Sequence, residues 1–468
     1  MRSRIVQAGL ILMLVAAGAG AAAEPAGAQP EATRAGKQRV TYDRAKLTPE
    51  ALAALAAGQP GGEVWGKAFD KPKVSLREAA LEELRMMVAG TLPEGQWKHP
   101  SASVRFYREF SLPIQGTRSP ELAAKHQNLQ QCWLVPTAVN LTSMMAMFSR
   151  ECGKQTDASL GLDIARHTGD TIVNMSLPSD WAYACFPIPH KHMGPLWNDY
   201  LNGKATFEAW RDEMRTRCEK RYELIWDCRL ADPGMALLDL HDVTKDEKYL
   251  QAAKRLAASF ATNQLPSGTW PYFVNAKTGE GRGGEWPPAL TIWFLDRLAD
   301  QYGVKDYQKT ADRAFAWMWE NQVVPHDMRA HYWDVAPKPR GSQGSLAAAE
   351  IAMCLFNRGD RDPRYIPKGE EILNWIEKSF VSWDQGGKVS EQTGFRAKVR
   401  FAGGGVAEAF VKAYEVTGKP IYLAKGLAVF SRVVRDRKEP PEWMGSRATG
   451  NFLAVYPFLK QHNLPGGE

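Results

Sequence analysis

The sequence predicts an all-α protein, an (α/α)6 toroid of helical hairpins with long loops on one rim. Three observations carry that prediction: a tyrosine recurring at a fixed period, a lone helix at each end of the array, and alternating short and long connections. The tyrosines are Tyr249 in "DVTKDEKYLQAAKRLAASF", Tyr307 in "QYGVKDYQKTADRAFAW", Tyr365 in "NRGDRDPRYIPKGEEILNWI" and Tyr422 in "EVTGKPIYLAKGLAVFSRV", spaced by 58, 58 and 57 residues. In each segment a helical run leads into a short turn rich in Gly, Asp or Pro, and a second helical run follows the tyrosine. Each unit is therefore a helical hairpin, and equal hairpins stack or close into a ring.

Taken in chain order, the first element is an address. Arg2 and Arg4 form a basic start, "IVQAGLILMLVAAGAGA" is apolar, and "AAAE" or "AGAQ" offers small residues for cleavage, so residues 1–28 read as a signal peptide. The expected location is outside the cytoplasm, periplasmic or secreted. Residues 29–74, rich in Ala, Gly and Pro, read as a partly ordered lead-in. "LREAALEELRMMV" (76–88) is a lone helix before the first hairpin. That first hairpin is "SMMAMFSRECGKQTDASLGLDIARHTGDTIV", with Leu160 near the tyrosine position. It lies 89 residues before Tyr249, which places an insertion near 178–230. "RATGNFLAVYPFLKQ" (447–461) is a lone helix after the last hairpin. Five hairpins and two halves make six, the arithmetic of a ring closed by its termini over residues 75–465. An open solenoid, the alternative, needs polar capping repeats.

The connections inside hairpins are short, and those between hairpins are long: 92–120, 176–232, 264–288, 323–345, 382–404 and 438–450. In an antiparallel array the long ones emerge on one rim, where function collects. Three share a signature, "LPEGQW" at Trp97, "LPSDW" at Trp181 and "LPSGTW" at Trp270. A Trp there either plugs the gap between hairpins or stacks on a ligand. The stretch 263–286 shows no Val/Ile alternation long enough for a strand. By their positions in helical runs, Trp210, Trp317 and Trp375 are expected in the core, and Trp181, Trp286, Trp333 and Trp443 on the exposed rim.

Charge excludes some functions. The chain carries 59 basic and 52 acidic residues, net +7, with no Lys/Arg block of the kind that tracks a phosphate backbone, so nucleic acid is not an expected partner. After the leader no segment has eighteen uncharged apolar residues, so no membrane partner is expected once the leader is cleaved. Export permits disulfides among the six Cys; Cys218 and Cys228 are close in sequence, and Cys354 in "SLAAAEIAMCLF" reads as a buried thiol.

The hairpin period, the export signal and the aromatic rim together resemble the six-hairpin (α/α)6 toroid superfamily of glycoside hydrolases, polysaccharide lyases and sugar epimerases. That resemblance implies a poly- or oligosaccharide bound across the open end. "QLPSGTW" is also similar to the Gln-to-Trp repeat of terpene cyclases, but the sequence holds no Asp-rich diphosphate element.

Two chemistries suit the rim. A glycosidase needs two carboxyls, and Asp180, Glu285, Asp334, Asp384 and Glu442 each adjoin a Trp that would desolvate a carboxyl and stack on a sugar. The alternative role for such residues is capping turns and helices. A uronate lyase needs a Tyr or His base and cations for the carboxylate, and "RAHYWDVAPKPR" offers Arg329, His331, Tyr332 and Arg340 together. Arg282, Arg396, Arg400, His190 and His192 add to that set. No cofactor is expected; the nearest to a metal set is Cys185, His190 and His192 in "CFPIPHKHM", whose spacing matches no common signature. The expected activity is a uronate-directed polysaccharide lyase, with Tyr332, His331 and Arg340 as catalytic residues and Trp181, Trp270, Trp286, Trp333, Arg282, His190 and His192 binding substrate. The alternatives are a hydrolase using Asp180 and Glu285, and a non-catalytic glycan-binding toroid.

Overall fold

The structure is a computed structural model, and it describes residues 47–59, 75–89, 134–152, 156–188, 196–201, 203–220, 223–224, 227–329, 343–391, 401–435 and 443–468. Among these are fifteen α-helices and five short strands. Helix α1 (Pro49–Ala57) precedes the ring. Thr48 caps it by accepting the Ala51 amide at 3.1 Å. The ring proper begins with α2 (Leu76–Ala89) and ends with α15 (Trp443–Gln461).

Between them run five hairpins. The first pairs α3 (Leu134–Cys152) with α4 (Thr156–Asn174); two short helices, α5 (Leu196–Leu201) and α6 (Phe207–Glu219), follow it before the second hairpin. The others pair α7 (Asp227–Thr244) with α8 (Glu247–Thr262), α9 (Ala289–Tyr302) with α10 (Gln308–Met318), α11 (Ser345–Asn357) with α12 (Tyr365–Phe380), and α13 (Phe401–Thr417) with α14 (Pro420–Phe430). Helices α3, α7, α9, α11, α13 and α15 form an inner ring in which each packs on the next and α15 packs back on α3. The outer partner of α15 is α2, from the opposite end of the chain. Thr449 of α15 donates to the buried Glu83 of α2, and the Arg77 guanidinium reaches the Glu151 carbonyl at 2.9 Å. The ring is closed, and the open solenoid is excluded.

Local chemistry explains the alternation of turns. In the short turns the chain must reverse at once, and a left-handed residue does so. Gly303 (φ +70°) ends α9, and Gly418 (φ +68°) ends α13 with its amide on the Tyr414 carbonyl at 2.8 Å. Lys245, at φ +56°, makes the same reversal after α7 without the freedom of glycine. The periodic tyrosines stand at the starts of the outer helices, and three of them tie their helix to its predecessor. Tyr249 donates to Asp170 of α4 at 3.1 Å, Tyr422 donates to Glu370 of α12 at 2.8 Å, and Tyr365 packs between Phe315 and Trp319 at the end of α10. Burial, then the Asp170 charge, pushes the Tyr249 hydroxyl well above its usual range, so it stays a donor.

One expectation fails in the long connection 264–288. Two strands form there, β2 (Pro271–Val274) and β3 (Gly281–Glu285), and β1 (Glu223–Leu224) adds to the far edge of β2. The missing β-branched alternation is replaced by glycine and a tight turn. The Asn275 side chain accepts the amides of Lys277 and Thr278, and β3 passes so close over β2 that a Cβ on Gly281 would lie 2.5 Å from the Pro271 ring. A second ribbon, β4 (Val381–Ser382) with β5 (Lys388–Val389), shapes the connection after α12. No helix among the described residues is long and apolar enough to cross a membrane.

Candidate active site

The inner helices are apolar on the flanks that meet their neighbours and on the face that meets the outer ring. What remains is one stripe per helix at helical spacing, and these stripes line the lumen. They are Asn140, Ser143 and Met147 on α3; Asp232, Met235 and Asp239 on α7; Leu290, Trp293 and Arg297 on α9. On the far side they are Leu346, Ala347 and Glu350 on α11; Glu408 and Lys412 on α13; Asn451 and Ala454 on α15. Contacts between neighbours fix the register. The Asn451 amide donates to Glu408 at 2.6 Å, and a Cβ on Gly405 would meet the Leu346 side chain at 2.6 Å.

The stripes form two tiers. The upper tier lies one to two turns below the long-loop rim and is polar: Asn140, Asp232, Trp293, Glu350, Glu408 and Asn451, one from each inner helix. Glu350 is the only charged residue of "SLAAAEIAMCLFN", and Glu408 is the only one in the first eleven residues of α13. A charge set alone in an apolar helix costs stability unless it faces solvent or a partner. The rim adds Glu391, 2% exposed, which the pairing of the Ser345 amide with the Glu391 carbonyl (3.0 Å) brings to the start of α11.

The lower tier is an ion-pair network across three inner helices. Asp239 accepts from Ser143 of α3 on one side and from Arg297 of α9 on the other, the latter at 2.7 Å. A side chain that reaches both flanking inner helices stands on the lumen face of its own. Arg297 also donates to Asp242 at 3.0 Å, and the Tyr302 hydroxyl donates to Asp242 at 2.6 Å. Burial works against the charge of Arg297, but the carboxylates of Asp239 and Asp242 and the nearby Tyr302 outweigh it and hold the guanidinium above its ordinary value. Lys412 pairs with Glu415 at 2.7 Å. Arg297 and Lys412 are thus matched by the protein's own acids.

The residues that the sequence put on the rim go elsewhere or lie outside the described residues. Trp181 and Trp286 are each 8% exposed, whereas Trp317 and Trp375, expected in the core, are half-buried; only Trp210, fully buried, follows the expected order. Trp270, 2% exposed, donates its indole N–H to the Phe260 carbonyl at 2.9 Å and packs edge-on against that ring. Gln264 holds the same turn, donating to the carbonyls of Gly268 (2.7 Å) and Thr310 (2.9 Å). The "QLPSGTW" motif therefore plugs the seam between two hairpins.

Nor do these tryptophans desolvate the carboxyls beside them. Neighbouring residues on a strand or tight turn point to opposite sides, so Trp181, Trp286 and Trp383 turn inward while Asp180, Glu285 and Asp384 are exposed. Glu285 accepts from Ser267 at 2.5 Å and from the Trp317 indole of outer helix α10 at 2.8 Å, which ties it to the outer layer. Arg282 is exposed and faces Glu280 at 3.7 Å. Arg329 pairs with Asp327 at 2.5 Å. Tyr332, His331, Trp333 and Arg340 lie outside the described residues, as do Asp334, Arg396, Arg400, Glu442, His190 and His192; for Trp443 only the helical backbone is described. Cys185 is half-buried at φ +66°, and no group of three metal-ligating side chains occurs among the described residues.

The comparisons with known proteins agree with the ring. No protein-family profile matches the chain, and no curated protein matches it in sequence. Among solved structures it is similar to the Lin0763 protein from Listeria innocua, at 12% identity and a TM-score of 0.51 over 83% of this chain and 99% of that one. It is similar to a family 76 glycoside hydrolase from a bovine Bacteroides thetaiotaomicron strain, at 11% identity and a TM-score of 0.51 over 82% and 78%. It is also similar to a sugar epimerase from a ruminal bacterium, at 13% identity and a TM-score of 0.48 over 80% and 98%. The chain is built on the six-hairpin (α/α)6 toroid, a fold that carbohydrate-active enzymes share.

The lumen carboxylates lie on helices, away from the loops where the sequence predicts the site. The signal was present in "AAAEIAM" and "GVAEAFV", where a single acid interrupts an otherwise apolar helix.

Proposed function

We propose that the chain is an exported glycoside hydrolase that uses the carboxyls of Glu350 and Glu408. The observation that carries this reading is their placement, one on each of two adjacent inner helices, in the same polar tier of one lumen. Packed helices lie about 8–10 Å apart axis to axis. Carboxyls reaching inward from two helices at that spacing are compatible with the roughly 5–9.5 Å separation that glycosidic cleavage requires. Glu408 takes an N–H from Asn451, which orients it as an acceptor and suits it to act as base or nucleophile. Glu350 is then the proton donor to the departing oxygen. Trp293, half-buried between the helices of Asp232 and Glu350, supplies an aromatic face for a sugar ring. Export rests on the leader at residues 1–28, and the substrate is a poly- or oligosaccharide. A family 76 glycoside hydrolase is built on a similar scaffold, which accommodates this chemistry.

The test is product chemistry on a panel of neutral and acidic glycans. Hydrolysis gives a new reducing end and no chromophore. β-Elimination would give an unsaturated uronate absorbing in the near ultraviolet. That product would overturn the hydrolase assignment and move the chemistry to Tyr332, His331 and Arg340. Binding with neither product would make the chain a glycan-binding toroid.

A further inference from the structure

We infer that the lower tier of the lumen is a sugar-recognition subsite in which Asp239 receives adjacent hydroxyls of a chain-end residue, so that the enzyme removes single units from one end of a saccharide. This rests on the hydrolase reading above and adds to it the mode of attack and the residue that selects the sugar.

The argument begins with unused capacity. An ionised carboxylate offers about four lone-pair positions. Ser143 occupies one on Oδ2 of Asp239 and Arg297 occupies one on Oδ1, leaving one acceptor position on each oxygen. Asp239 is 14% exposed and Arg297 12% exposed, so the pair is packed from the sides yet open to the lumen. Two fixed acceptor oxygens on one carboxylate match two neighbouring hydroxyls of a sugar, each donating one hydrogen bond. Arg297 cannot turn away to seek a ligand carboxylate, because Gln301, Asp239 and Asp242 already hold its three nitrogens. The subsite therefore favours hydroxyls over acid groups.

Depth gives the mode of attack. At 1.5 Å per residue, Arg297 lies about 6 Å below Trp293 along α9, and Asp239 about 10 Å below Asp232 along α7. A ring resting on Trp293 thus has its far hydroxyls at the level of Asp239. Below that level the network continues through Asp242 to Tyr302 on one side of the lumen, and on the other Arg150 of α3 crosses to the Leu453 carbonyl of α15 at 3.0 Å. These braces join neighbouring inner helices at the short-turn end, opposite the long-loop rim from which, on this proposal, a chain enters by its terminus.

The experiment uses the full exported chain on oligosaccharides labelled at one end, with 4-nitrophenyl glycosides of common hexoses and their monodeoxy analogues. Stepwise loss of single units from one end is expected, with early products one residue shorter than the substrate. Asp239→Asn should raise KM roughly 10- to 100-fold, the loss of hydrogen bonds to a charged group. It should also bring the ratio of kcat/KM for sugar over deoxy analogue close to one, which a purely structural role would not do. Ser143→Ala, which leaves the Arg297 pair intact, should move both in the same direction by less, should Asp239→Asn fail to fold. Hydrolysis that starts at internal bonds, or unchanged discrimination in both variants, would overturn the inference and leave the hydrolase reading standing. An unsaturated product would overturn the hydrolase reading, and the end-release pattern would still decide this one. No glycan bound or cut would remove both.

Discussion

Replacing Glu408 with Gln separates the catalytic role proposed for the upper tier from its structural one. In the native lumen Glu408 is 7% exposed and accepts from Asn451 at 2.6 Å. Gln has the same shape and can present its amide oxygen to the same N–H, so the contact survives without its charge. A hydrogen bond to a charged group contributes about 1.5–3 kcal/mol and a neutral one about 0.5–1.5, so the loss to folding is about 1 kcal/mol. For a chain this long that is a shift in Tm of no more than about 2–4 °C. The chemical consequence is far larger. Without the carboxylate no base or nucleophile acts, and the expected loss in kcat is about 10²–10⁴-fold, or about 2.7–5.4 kcal/mol at 1.36 kcal/mol per decade. Glu350→Gln should match it. The double variant should lose little more than either single one, because two groups that act as a unit are not additive. Reducing-end release by wild type and the three variants, with melting curves of the same samples, makes the comparison. If both single variants keep more than a tenth of wild-type kcat, the pair is not the catalytic machinery, whatever happens to Tm.

Three further outcomes follow from the geometry. Saccharide binding should quench tryptophan emission through Trp293 and not through the buried Trp181 or Trp286, so Trp293→Phe should abolish the change; a change that persists in that variant places the sugar elsewhere. Lys245→Gly should raise stability by about 0.5–1 kcal/mol, read as the denaturant midpoint, because it removes a left-handed non-glycine residue at the cost of some chain entropy; a lower midpoint would show that the turn is unstrained. Burial pushes the Cys354 thiol up to about 12, only partly offset by the Arg358 charge. The stabilisation from keeping it neutral is complete below the unfolded value near 8.5 and is lost as pH rises toward 12, which amounts to about 2 kcal/mol at pH 10. Cys354→Ala should therefore flatten part of the fall in Tm above pH ~9, and Cys354 in the native protein should resist alkylation at pH ~8.5.

The ring was legible because its signal is periodic. Tyr249, Tyr307, Tyr365 and Tyr422 mark equivalent points of successive hairpins, and the hydroxyls of Tyr249 and Tyr422 and the ring of Tyr365 link outer helices. The lone helices at 76–88 and 447–461 were legible as two halves because neither has a hairpin partner nearby in sequence. The site was less legible for two physical reasons. Adjacency in sequence is not adjacency of side chains: Trp286 and Glu285 are neighbours whose side chains part, one into the core and one toward Trp317. The lumen residues come one from each of six helices, so no stretch of sequence contains them together. The sign by which Glu350 and Glu408 could be found, a lone acid in an apolar run, also fits a helix that merely borders solvent. Only the closed ring shows which face of α11 and α13 looks inward.

That closure has a consequence for how the chain is made. Helix α2 lacks its inner-ring partner until α15 arrives from the far end of the polypeptide, so the first helix of the ring waits for the last. Intermediates that have assembled the five central hairpins carry two raw apolar edges, one on α3 and one on α13, which only α15 can join. Such a C-shaped species is the natural place for self-association, and it persists for as long as synthesis of the final segment takes. A truncation of even the last few turns would leave a molecule with nearly all of its hairpins formed and no means of ending their growth into a neighbour.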